Sequence, residues 1–277
     1  MNEVTKFLQR VVTAVLLLPV LVGSILFSKD QPFVWPFMIL WTAVTAVCSF
    51  EMLRMFLKEK RDLFGGTALS VLAFFSGALL QPAFSFPAIM LFVVMAAFLS
   101  LPGECDIHEK ARKGALLVLC VIYVGGLFSL YPRTLLFPMG EYWVLMGIAT
   151  AAAGDTFAYL AGCLFGRCKL ASSISPNKTI EGAVGGLGGS VVLCVACSNY
   201  FLPGIPAWYA AISGVIIGMC GQAGDLFESL LKRTAGVKDS GTLLPGHGGI
   251  FDRTDALLAA SPAIYLMAAL ASLEGWL

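Results

Sequence analysis

Apolar residues in this chain come in long unbroken runs, without the regular polar interruptions of half-buried elements, and nine of the runs are long enough to cross a bilayer. A hydrocarbon core about 30 Å thick requires roughly 20 residues of helix, with about 17 to 25 tolerated. The runs lie approximately at Val11–Phe27, Phe33–Phe50, Phe64–Leu80, Ala83–Leu101, Gly114–Tyr131, Tyr142–Phe165, Gly182–Leu202, Ala207–Leu231 and Ala256–Leu277. The third is the least regular, being short and glycine-containing. Within lipid a single segment satisfies its own backbone only as a helix, so the pattern predicts an all-α polytopic membrane protein with about nine transmembrane helices. No stretch between them has the length of a soluble domain. Residues 1–140 are expected to form about five N-terminal spans, and residues 141–277 a C-terminal catalytic region with its polar groups at helix ends and in loops.

Charge placement orients these helices, because Lys and Arg accumulate in short cytoplasmic loops. With the N-terminus in the cytoplasm, all of the 18 basic residues except Lys29 and Arg133 fall on that side. Glu51–Asp62, Glu104–Lys113, Arg167–Lys178 and Lys232–Asp255 are then cytoplasmic, and the C-terminus faces outward. The first run follows Lys6 and Arg10 as a signal peptide would, but no A-x-A-like cleavage site precedes Ser28-Lys29-Asp30, so it reads as a retained span. Composition agrees: 58% hydrophobic and 13% charged residues, against about 25% charged in soluble domains. A net charge of +1 gives no reason to expect a nucleic-acid partner. Of the eight cysteines, Cys48, Cys120, Cys194, Cys197 and Cys220 lie in apolar runs and read as packing residues, with no disulfide framework expected.

Against this background three carboxylates stand out: Asp155, Asp225 and Glu228 lie in or beside apolar helix. An acid near a helix centre costs roughly 2.5 to 3.5 kcal/mol on insertion scales, so each must be paired, hydrated or bound to a cation. Asp225, Glu228, Ser229 and Lys232 stand at i, i+3, i+4 and i+7, which aligns two acids, a hydroxyl and an ammonium on one stripe facing a polar cavity. An intrahelical ion pair between Glu228 and Lys232 is the structural alternative.

The polar segment that follows reads Lys238-Asp239-Ser240-Gly241, then Leu244-Pro245-Gly246-His247-Gly248-Gly249-Ile250-Phe251-Asp252-Arg253-Thr254-Asp255. Glycines there let backbone N–H groups approach and cradle an anion. Asp252 and Asp255, three apart where the last helix begins, can converge on one hard cation, or either can simply cap that helix. Lys232, Arg233, Lys238 and Arg253 supply nearby phosphate contacts. A second block ends in Ser175-Pro176-Asn177-Lys178-Thr179-Ile180-Glu181-Gly182, where Thr179 is placed to cap a helix and Lys178 to meet a phosphate. Ala153-Gly154-Asp155-Thr156-Phe157 is echoed by Ala223-Gly224-Asp225-Leu226-Phe227, a weak internal repeat.

The 27 residues from Ser229 to Asp255, with Lys232-Arg233, Lys238-Asp239 and Pro245-Gly-His247-Gly-Gly-Ile-Phe-Asp252-Arg253-Thr-Asp255 at their spacing, resemble the signature of the phosphatidate cytidylyltransferases, also called CDP-diacylglycerol synthases. The resemblance extends over the Asp155–Gly182 block. It implies transfer of CMP from CTP to phosphatidate, with release of pyrophosphate, in the bacterial inner membrane. It also implies a divalent cation, Mg²⁺ or alternatively Mn²⁺, with room for a second cation. Asp225, Asp252 and Asp255 are the first-choice ligands, with Asp155 and Glu228 behind them. Ser229, Lys178, Arg233, Lys238, Arg253, His247, Gly248 and Gly249 are the expected substrate-phosphate contacts. Lys232 joins the three aspartates as a catalytic candidate, and His247 more readily donates a hydrogen bond than removes a proton. Partners are CTP, phosphatidate and membrane lipid, and a homodimer is compatible with the sequence.

Two other readings compete. Intramembrane carboxylates also mark ion-coupled transporters, which place them near the midplane of broken helices. A CTP-dependent lipid kinase would move the γ-phosphoryl group instead. The Asp-Gly-x-x-Ala-Arg run of the CDP-alcohol phosphotransferases is absent.

Overall fold

The computed structural model describes residues 19–26, 35–102, 106–243 and 248–276. Among these, eight helical stretches are long and apolar enough to cross a membrane: α2 (Trp35–Arg54), α3 (Lys60–Leu79), α4 (Pro82–Leu99), the stretch Ile107–Thr134, α7 (Gly140–Phe165), α8 (Ile180–Phe201), α9 (Ala207–Thr234) and α10 (Phe251–Leu273). The fourth stretch comprises α5 (Ile107–Cys120), a π-helical turn (Val121–Gly126) and α6 (Leu130–Thr134). All eight match predicted runs. Most of the ninth, Val11–Phe27, lies outside the described residues, although 19–26 are helical and are counted as α1. The chain is therefore a helical multi-pass membrane protein. The irregular third run is a full 20-residue helix, because it starts at Lys60, in the polar flank. Likewise α10 starts at Phe251, so that Asp252 and Asp255 fall in its first two turns. Among the described residues the one non-helical element is a short antiparallel hairpin, β1 (Lys169–Ala171) with β2 (Ser175–Thr179), which the hydrophobic pattern did not predict.

The chain divides into two compact units, the first formed by residues up to 133 together with 235–253. Its core is aromatic: Trp41 stacks on Tyr131 with centroids 4.5 Å apart, and Phe128 and Phe37 flank it at 4.9 and 5.5 Å. Several polar groups in the helices find partners on neighbouring helices, which lowers the cost of carrying them at lipid depth. Ser49 Oγ donates to Ser70 Oγ (2.8 Å), and Ser70 Oγ donates to the Cys120 carbonyl (3.3 Å) at the start of the π-helical turn. Arg133 donates to the Gly77 and Leu80 carbonyls at the end of α3 (2.6 and 3.0 Å). At the other end of α3, fully buried Asp62 lies 3.0 Å from Arg61 and 3.4 Å from Lys113, and Lys113 also reaches Glu59 at 2.6 Å. The Lys113 ammonium holds the Glu59 carboxyl below its ordinary range.

Residues 134–234 and 254–277 make the second unit. Small residues set its helix spacing, which is how helices pack closely where lipid supplies no hydrophobic drive. Gly182, Gly185, Gly186 and Gly189 lie on one face of α8 against Ala158, Ala161, Gly154 and Phe157 of α7. A Cβ at Gly186 would meet the Gly154 carbonyl at 2.8 Å, and one at Gly224 of α9 would meet the Asp255 carbonyl of α10 at 2.5 Å. Trp143, Cys194, Tyr209 and Met267 form the buried cluster, with Tyr209 Oη donating to the Met267 carbonyl at 2.6 Å. Pro262 lacks the N–H that the Leu258 carbonyl would otherwise accept, and Ser261 Oγ donates to that carbonyl instead (2.8 Å).

Candidate functional site

In the second unit, α9 and α10 bring three of the five predicted cation ligands together. One oxygen each of Asp225, Glu228 and Asp255 lies within 4.8 Å of the others. The separation of three residues on α9 puts Asp225 and Glu228 on one face, and the glycine at 224 lets α10 approach until its Asp255 carbonyl and Ala259 methyl fill the space a side chain would need. Asp155 of α7 is within electrostatic reach of Asp225 and Asp255.

Two ammonium groups enter the same cluster. Lys232 Nζ sits 2.6 Å from Glu228 Oε2, an ion pair in which the Glu228 side chain is 1% exposed. Lys178 Nζ lies 2.5 Å from Asp225 Oδ2. Both the ion pair and the shared stripe foreseen for α9 are thus present at once. Lys178 is delivered by the hairpin, which is tied down at both ends. Thr179 Oγ1 caps α8 by accepting from the Gly182 N–H (3.1 Å). Glu181 accepts from the Arg167 and Cys168 N–H groups (3.1 and 3.2 Å). Arg233 Nε donates to the Ile174 carbonyl at the hairpin turn (3.3 Å).

Four carboxylates and two ammoniums leave two negative charges without a counter-charge among these six side chains. Like charges about 4.8 Å apart repel by roughly 3 kcal/mol per pair at an effective dielectric of about 20. A hard divalent cation fits that donor set, since it prefers several carboxylate oxygens and remaining positions filled by water or phosphate.

Asp252 has different neighbours. It belongs to the first unit, where its carboxylate accepts from the Ser240 N–H (2.9 Å), the Gly249 N–H (2.8 Å) and lies 3.0 Å from Ser240 Oγ. It therefore holds Ser240 and Gly249 at the head of α10, as a cap would. Gly248 has φ +82° and lies beside it, a conformation that favours glycine. The Gly249 N–H, expected to face a phosphate, is directed at Asp252. Lys238 and Arg253 are exposed, Ser229 is half-buried on α9, and His247 lies outside the described residues.

Sequence reasoning missed Glu51. It is 6% exposed near the C-terminal end of α2, accepts from the Phe251 N–H at 2.9 Å, and lies 3.3 Å from Ser240 Oγ. Its signal in the sequence is an acid one turn before the end of an apolar helix, at the boundary where the polar loop is expected to begin.

The chain matches the cytidylyltransferase family over residues 8–271. It is 34% identical to a phosphatidate cytidylyltransferase of Bacillus subtilis over 273 residues, 95% of this chain and 98% of that one. It is 45% identical over 131 residues to one from Synechocystis (47% of this chain, 44% of that protein). A further one, from Staphylococcus saprophyticus, is 40% identical over 154 residues (55% and 58%). The match spans about half the length of the latter two and nearly all of the Bacillus protein. The carboxylate cluster and the hairpin lysine thus occur in a chain that belongs to the cytidylyltransferase family.

Proposed function

We propose that this protein transfers CMP from CTP to phosphatidate, giving CDP-diacylglycerol and pyrophosphate, at the cluster of Asp225, Glu228 and Asp255. The observation that carries the reading is the convergence of these three acids, carried on apolar helices, with Lys232 of α9 and Lys178 of the hairpin. Membership of the family supports the class of reaction, and the names of the relatives support the acceptor. A divalent cation held by Asp225, Glu228 and Asp255, Mg²⁺ or Mn²⁺, would neutralise the triphosphate and favour departure of pyrophosphate. An oxygen of the lipid phosphate attacks the α-phosphorus of CTP, the bond from that phosphorus to the β-phosphate bridge oxygen breaks, and its electron pair leaves with pyrophosphate. The nucleophile is already anionic at neutral pH, so the residues supply position and charge rather than a strong base. Lys178 and Lys232, each held on a carboxylate, are placed to exchange that partner for a substrate phosphate. Asp252 holds Ser240 and Gly249 at the head of α10. The acceptor stays in the leaflet while CTP arrives from the cytoplasm, consistent with the N-terminus-in orientation that the basic residues favour and with a bacterial inner membrane.

The test is an assay of detergent-purified protein with phosphatidate, Mg²⁺ and CTP labelled at either the α or the γ phosphate. Label from the α position in lipid, with pyrophosphate released, is the expected result. Label from the γ position would identify a lipid kinase, and no lipid labelling from either would remove the enzymatic reading.

A further inference from the structure

We propose that Glu51 is a positioning residue for this reaction, holding the Ser240 and Phe251 ends of the glycine-rich segment so that Asp252 and the first turn of α10 are fixed. The inference rests on the function proposed above. Nearly two hundred residues of chain separate Glu51 from its partners, yet its carboxylate takes the first N–H of α10, that of Phe251, at 2.9 Å. The Ser240 hydroxyl lies between two acids, 3.3 Å from Glu51 Oε2 and 3.0 Å from Asp252 Oδ2, and its one proton can serve either. The space around Glu51 is cleared by small residues: a Cβ at Gly249 would stand 2.7 Å from Glu51 Cδ, and one at Gly241 2.8 Å from it. Fixed glycines on both flanks thus receive a buried carboxylate whose acceptors are spent on the segment that precedes α10. An amide in its place would turn a donor toward groups that are themselves donors, the Phe251 and Ile250 N–H groups.

The experiment compares wild type with Glu51→Gln, Ser240→Ala and the double variant, reading kcat, KM for CTP and the thermal midpoint in detergent. Glu109→Gln, at an exposed helix-surface pair with Arg112, is the handling control. Removing the partner that orients a functional carboxylate lowers activity by roughly 10- to 100-fold. That loss is expected in kcat for Glu51→Gln with the midpoint held within a few degrees, and the double variant should lose less than the product of the single losses. Should Glu51→Gln yield no folded protein, Ser240→Ala carries the test, since it removes the shared hydroxyl and keeps the Phe251 bond. Wild-type kcat in the folded variant, or losses that multiply independently, overturns the proposal. A lowered midpoint with unchanged kcat per folded molecule assigns Glu51 to the fold alone. If wild type itself moves no CMP into lipid, the proposed function fails, a result separate from any of these.

Discussion

Neighbouring glycines on α8 give opposite predictions from a single methyl group. Gly188 faces open space, with nothing within 4 Å of where its Cβ would be, whereas a Cβ at Gly189 would stand 2.6 Å from the Phe157 Cβ of α7. Carbon atoms pack at about 3.5 to 4.0 Å, so the Gly189→Ala methyl is about 1 Å too close. Rotating the Phe157 ring does not relieve a clash with its own Cβ; the helices must part. Overpacking of this kind costs about 1 to 3 kcal/mol, and a clash with a Cβ, which no rotamer change moves, argues for the upper half. Gly188→Ala adds only helix propensity, a gain of up to about 1 kcal/mol. The two variants should differ by about 2 to 4 kcal/mol. At about 2 to 4 °C per kcal/mol for a chain of this size, that is roughly 4 to 16 °C in melting midpoint, read by a thiol-independent thermal assay in detergent. Since α7 carries Asp155 and α8 follows Lys178 directly, Gly189→Ala should also lose activity. A Gly189→Ala midpoint at or above wild type, or equal destabilisation by both substitutions, would refute the packing argument.

Three further outcomes follow from the geometry. Asp255→Asn removes one unit charge from the cluster, worth about 4 kcal/mol near 4 Å at a dielectric of about 20; the Mg²⁺ concentration for half-maximal activity should rise roughly 100- to 1000-fold, and an unchanged Mg²⁺ titration would exclude Asp255 as a ligand. Ser261→Ala leaves the buried Leu258 carbonyl without its donor beside Pro262 and should destabilise by about 1 to 3 kcal/mol, measured as the shift in melting midpoint. Because Lys113 lowers the folded-state pKa of Glu59, this pair stabilises above the ordinary Glu value of about 4.3, and the contribution fades as pH falls through the lowered folded value. Melting profiles from pH 7 to pH 3 should therefore converge for wild type and Lys113→Met on the acid side, and parallel profiles would contradict the linkage.

The spans were legible because their signal is length and hydropathy, which local sequence carries. Thr179 as a helix cap and the α9 stripe were legible for the same reason: both depend on spacing within one element. Asp252 and Asp255 show where that stops. Three apart on one helix, they look equivalent, yet Asp255 joins Asp225 and Glu228 while Asp252 accepts from Ser240 and Gly249. The difference is made by residues the spacing does not name. Glu51 was hidden more deeply, since its meaning lies in partners at 240 and 251. The hairpin of three- and five-residue strands has too few residues and too little apolar alternation to register as a pattern.

The pairing of Lys178 with Asp225 and of Lys232 with Glu228 also bears on how the chain reaches its membrane. During synthesis an acidic residue entering lipid before its counter-ion exists is exposed to the full insertion penalty. Here the hairpin bearing Lys178 emerges from the ribosome ahead of α9, so a cation is already waiting when Asp225 follows. Glu228 brings Lys232 with it one turn later on the same helix. Moving Lys178 to the far side of α9 would preserve the finished ion pair on paper while reversing that order, and the growing chain would meet its charges in the wrong sequence.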